Sequence, residues 1–90
     1  MAKILVSYDL RIPDRDYKPL YTRLAAWNAF RVLESVWALK SDATVTQVRD
    51  DLLKYMHQKD GLLAIEMSRA GAWNELSGQS GPALKTLLES

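Results

Sequence analysis

The chain contains no cysteine. Disulfide scaffolds, thiolate metal sites and cysteine nucleophiles are therefore excluded. A single histidine, His57, leaves no multi-histidine zinc centre within one chain. Glycine occurs four times and proline three times in 90 residues, so the composition is neither collagen-like nor low-complexity. Gly71, Gly78 and Gly81 lack both the spacing and the following lysine of a phosphate-cradling loop. No apolar run approaches the roughly 20 residues that span a bilayer. Charge of one sign is missing too: 12 lysines and arginines face 11 acids, for a net charge of +1. This excludes a highly basic, tail-type nucleic-acid binder and leaves room for a local basic patch.

What remains is a globular composition, with 48% hydrophobic and 26% charged residues. Ninety residues make one domain on size grounds, and a chain this short gains stability from a dimer interface. Met1 to Val6 reads as a strand rather than a signal peptide, because Tyr8 and Asp9 cut the apolar run short. A cytoplasmic protein is expected, with no membrane partner.

Residues 3–10 alternate, with Ile4, Val6, Tyr8 and Leu10 on one face and Lys3, Leu5, Ser7 and Asp9 on the other. Both faces begin apolar, which predicts a central strand. Arg11 to Asp16 is a loop around Pro13, with Asp16 a candidate helix cap. Tyr17, Leu20, Tyr21, Leu24 and Trp27 form a helical stripe over about 17–27, with Lys18 and Arg23 facing water. Residues 30–40 are rich in strand formers, but apolar residues occupy both parities around Glu34 and Ser35. Either a tight hairpin or a bulged, bent strand satisfies this. Thr44 and Gln47 form a capping box that opens a helix over about 45–57, burying Val45, Val48, Leu52 and Met56. After the Asp60-Gly61 turn, Leu63, Ile65 and Met67 share one face of a last strand. Residues 70–90 read as a flexible linker, with one helical turn near 72–76 and a short helix after Pro82 carrying Leu84, Leu87 and Leu88.

The order strand, helix, split strand, helix, strand predicts an α+β protein. Its commonest form is a ferredoxin-like βαββαβ two-layer sandwich over 1–69, with a short C-terminal extension. One sheet face is then left open, and Leu5, Leu33 and Trp37 are assigned to it. An apolar open face on a small protein finds a partner.

The chain resembles a known family at Tyr8-Asp9-Leu10, which closes the first strand, and at Arg31-Val32-Leu33-Glu34-Ser35-Val36-Trp37. These segments are similar to the smaller of the two core CRISPR adaptation proteins. That family consists of ferredoxin-like homodimers described as metal-dependent endonucleases. The similarity spans about residues 3–67. Trp37 stands where the family carries Phe, and Ala38-Leu39-Lys40 replaces its acid- and glycine-containing stretch. The Arg11-to-Tyr17 loop also departs from most members, which places the chain nearer a divergent branch. The resemblance implies a homodimer joined through the open sheet faces, with Leu5, Leu33 and Trp37 in the joint. It further implies two Asp9 carboxylates facing each other across the interface, and a Mg²⁺ ion between them.

Asp9 is accordingly the candidate catalytic and metal-binding residue, since a pair of carboxylates with waters suits octahedral Mg²⁺, which would activate a water against a phosphodiester. The plainer alternative is an acid that bonds the following loop. Arg11, Arg15 and Arg31 are candidate phosphate forks, and Arg31 matches the family's strand-two arginine; solvated or interface arginines are the alternative. Ser35 has no histidine to activate it, and His57 suits a helix end. Trp27, Trp37 and Trp73 offer base-stacking faces, with core or interface packing as the simpler use. The expected function is a homodimeric nucleic-acid-associated protein with metal-dependent endonuclease activity. The competing expectation is a non-enzymatic dimeric module that binds a protein partner through the open sheet or the C-terminal tail.

Overall fold

A computed structural model describes residues 1–90. Four strands and three helices follow one another as β1 (Ala2–Asp9), α1 (Lys18–Ala26), β2 (Phe30–Leu33), β3 (Val36–Ser41), α2 (Val45–Leu53), β4 (Gly61–Glu66) and α3 (Ser80–Glu89). The strands form one antiparallel sheet in the order β2-β3-β1-β4. The result is an α+β domain compatible with a ferredoxin-like sandwich. No helix is long and apolar enough to cross a membrane.

The alternation of β1 builds the main core. Ile4, Val6 and Tyr8 point to the face covered by α1 and α2, where they meet Leu20, Leu24, Val48, Leu52 and Met56. Leu5, of opposite parity, points to the other face. The capping box of α2 forms as expected: the Gln47 N–H donates to Thr44 Oγ1 at 3.1 Å, and the Thr44 N–H donates to Gln47 Oε1 at 2.9 Å. Asp16 Oδ1 accepts the Lys18 N–H at 3.0 Å in the first turn of α1. That helix stops at Asn28, whose positive φ of 59° lets the Ala29 N–H turn back to the Leu24 carbonyl.

The hairpin alternative holds in the 30–40 region. Glu34 and Ser35 form a two-residue turn between β2 and β3, and neither has a positive φ. Such a turn splays right-twisted strands unless the ladder yields. It yields between Arg31 and Leu33, where the register shifts. The Tyr8 N–H to Ser35 carbonyl bond of 3.1 Å and the Tyr8 hydroxyl to Glu34 carbonyl bond of 3.2 Å tie the turn to β1.

The second sheet face is covered over its β2–β3 half and open along β4, where Leu63 and Ile65 are exposed. α3 folds back onto β2 and β3, and Leu84, Leu87 and Leu88 seal a second cluster with Val32 and Ala38, flanked by Leu5, Phe30 and Val36. Lys3 Nζ donates to the Leu88 carbonyl at 2.8 Å and Lys40 Nζ to Ser90 Oγ at 3.0 Å, placing two cations at the negative end of α3. No helical turn forms near 72–76.

Candidate functional site

Tyr8, at the end of β1, organises the polar end of the sheet. Its hydroxyl accepts Arg31 Nη2 at 3.2 Å and Trp37 Nε1 at 3.1 Å while donating to the Glu34 carbonyl. Arg31 extends from β2 along two rings, 4.9 Å from the centroid of Tyr21 on α1 and 5.0 Å from that of Trp37 on β3. The rings lie nearly parallel, with centroids 6.3 Å apart. The hydrogen bond it donates to Tyr8 foremost holds the Arg31 guanidinium above its ordinary pKa, against desolvation, and burial pushes the Tyr21 phenol up. Arg31 nonetheless reaches solvent and has no carboxylate within ion-pair distance. It lines a cleft of about 470 Å³ with Tyr8, Asp9, Leu10, Tyr21, Glu34 and Ser35.

Asp9 stands at the rim of this cleft with its side chain 71% exposed. Its Oδ2 accepts Arg11 Nε at 3.0 Å. Arg11 also donates Nη1 to the Lys59 carbonyl at 2.9 Å, passing so near Gly61 that a Cβ there would sit 3.1 Å from Nη2. Arg15 lies over the Tyr17 ring at 5.7 Å. The three candidate phosphate arginines thus have different surroundings, and only Arg31 lines the cleft. Ser35 shares its wall, whereas His57 does not: its Nδ1 accepts the Lys59 N–H at 3.0 Å.

Within one chain Asp9 is the only acid the metal reading supplies, and a Mg²⁺ site there would draw its second carboxylate from a partner copy. No group of three or more acids or histidines converges anywhere, and the one nearby cation partner of Asp9 is a guanidinium that would compete with a metal. Of the three residues assigned to an open sheet face, Trp37 lies instead on the helix-covered face. It is directly opposite Val6 and stacks on Tyr21. The assignment fails because the two-residue turn pairs Leu33 with Val36 on one face, which sends Trp37, the next residue, to the other. Leu5 does lie on the second face, beside the α3 cluster, and Leu33 is exposed.

Sequence reasoning missed two acidic hubs. Asp60 accepts the Arg11 N–H, the His57 N–H and the Tyr17 hydroxyl, all at 2.8 Å. Desolvation pulls its carboxyl up, and these three bonds outweigh it, leaving the pKa below the usual value. Asp51 accepts Arg23 Nε at 2.6 Å and Nη2 at 3.0 Å, plus Trp27 Nε1 at 2.7 Å, and the Arg23 bonds chiefly hold its pKa down. Arg23 is therefore the tie between α1 and α2 rather than a free surface cation. The signal available beforehand was only that Asp60 stands in an Asp-Gly turn; the partners come from 3 to 49 residues away.

No protein-family model matches the chain, and no solved structure matches it significantly.

Proposed function

We propose that the protein binds the phosphate backbone of nucleic acid at the Arg31 cleft. The observation that carries this reading is an accessible guanidinium held in one orientation by Tyr8, Tyr21 and Trp37, with no protein carboxylate to neutralise it. A positioned fork of this kind suits a phosphate oxygen pair and loses little side-chain entropy on binding. The element order and strand order support reading the domain as a ferredoxin-like βαββαβ sandwich with an added helix, in line with the family resemblance. With a net charge of only +1, binding is weak and falls steeply with salt. The reading requires no metal.

The test is fluorescence anisotropy on labelled single-stranded RNA and duplex DNA, with wild type and Arg31→Gln, over a salt series. Losing one phosphate contact should weaken binding about 10-fold and lower the salt slope by about one unit. Equal affinities for the two proteins would remove the proposal. The same samples, incubated with Mg²⁺ or with chelator, report cleavage. Cutting that needs Mg²⁺ and vanishes in Asp9→Ala would extend the function from binding to metal-dependent endonuclease activity.

A further inference from the structure

The two edges of the sheet are treated differently. At β2, the chain covers its own edge: the Ser77 N–H donates to the Val32 carbonyl at 3.0 Å, and the Ser80 hydroxyl donates to the Arg31 carbonyl. At β4 nothing does so. The Met67 N–H bonds to the Lys3 carbonyl at 2.7 Å, and Lys3 and Met67 stand opposite each other by the β1–β4 register. Antiparallel ladders alternate, so Ile65, Leu63 and Gly61 also turn their backbone groups toward β1. The N–H and C=O of Leu62, Ala64 and Glu66 then point outward, and no loop or side chain bonds to them. Apart from the exposed Glu66 at its end, the strand carries none of the usual protection. There is no lysine, proline or bulge between Gly61 and Glu66, and the side chains of Leu63 and Ile65 are 53% and 42% exposed.

We propose that this edge is an interface for a second copy of the chain, β4 pairing antiparallel with β4 about a two-fold axis through Ala64. The strand is self-complementary in this register. Ala64 faces the partner's Ala64 and Leu62 faces the partner's Glu66, so every outward N–H on these residues meets a carbonyl. Leu63 stands opposite the partner's Ile65 in the closely spaced type of pair, twice over, and the two exposed apolar side chains cover one another. Two other registers do worse. Centring on Glu66 sets two carboxylates face to face, and centring on Leu63 brings Asp60 against the partner's Glu66. The outcome is one continuous eight-stranded sheet with both Arg31 clefts on the same side. Asp9 pairs with Gly61 at one end of β4, so the two Asp9 carboxylates end up at opposite ends of the joint and share no metal. The inference rests on the strand register alone and is independent of phosphate binding at Arg31.

Two variants and a cross-link test it. The Ala64 N–H faces outward, so Ala64→Pro deletes an edge donor and leaves the β1–β4 ladder intact. Ile65→Lys places a charge in the joint. By light scattering after gel filtration, wild type should run as a dimer. Each variant should have half the mass, with an unchanged circular dichroism spectrum. The chain has no cysteine of its own, so Leu63→Cys mixed with Ile65→Cys should give a disulfide-linked heterodimer under mild oxidation, while neither variant links to itself. A monomeric wild type, a dimer that survives both Ala64→Pro and Ile65→Lys, or efficient self-linking of either cysteine variant would each overturn the proposal.

Discussion

Asp60 is a single side chain on which three segments depend. It fixes the loop after β1 through Arg11, the entry to α1 through Tyr17 and the start of β4 through His57. Its folded pKa lies below the unfolded value, so its contribution is present above about pH 4 and fades as the pH falls through the folded pKa. Asp51 adds in the same sense. Tyr17 behaves in the opposite way. Desolvation first, then the bond to Asp60, raises its phenol, so its contribution is complete below about pH 10 and fades as the pH rises through the folded pKa. Thermal melts from pH 2 to 11 should therefore show a plateau bounded by an acidic and an alkaline fall. Asp60→Asn should lower the plateau by about 1–3 kcal/mol by leaving donors badly matched, and should blunt both falls. Melts of the variant that keep the wild-type pH profile would show that Asp60 is not the hub. None of this was readable beforehand, because an aspartate in an Asp-Gly turn looks the same whether it meets water or three distant donors.

The elements were far more legible. β1 was written in strict alternation and α2 in a capping box, and both are local patterns whose physics acts within a few residues. Thr44→Ala should cost about 1 kcal/mol in urea unfolding, since it leaves the Gln47 N–H without its cap; an unchanged midpoint would mean that water replaces the cap in full. The hairpin was harder. A two-residue turn normally advertises itself by glycine or asparagine in left-handed conformations, and Glu34-Ser35 does without either by shifting the register between Arg31 and Leu33. The β1–β3 register sets Trp37 opposite Val6, and the shift brings Arg31 opposite Trp37, which is why the arginine lies along the tryptophan beside the cleft. The Tyr8-Asp9 and Arg31–Trp37 segments, picked out separately in the sequence, do meet in space, through the Tyr8 hydroxyl.

At the scale of the molecule, the decisive element is α3. A sheet with helices on one face leaves a second apolar face, and a 90-residue protein must cover it with a partner or with its own chain. Here the last ten-residue helix covers the β2–β3 half, joined by a segment whose glycines and serines gave no sign of where the helix docks. Pairing two copies sheet to sheet, as the resemblance implies, therefore requires α3 to lift off first. Leu87→Ala tests the seal. It removes a buried side chain from the smaller cluster and leaves the α1–α2 core intact, at a cost of about 2–3 kcal/mol. Protease sensitivity between Met67 and Gln79 should rise, and so should the binding of an apolar dye to the face that carries Leu5, Val32 and Val36. New, concentration-dependent association through that face should persist when Ala64→Pro is added, because it uses the sheet surface and not the β4 edge. A variant that stays protease-resistant and binds no dye would show that the β2–β3 face does not depend on α3 for its cover.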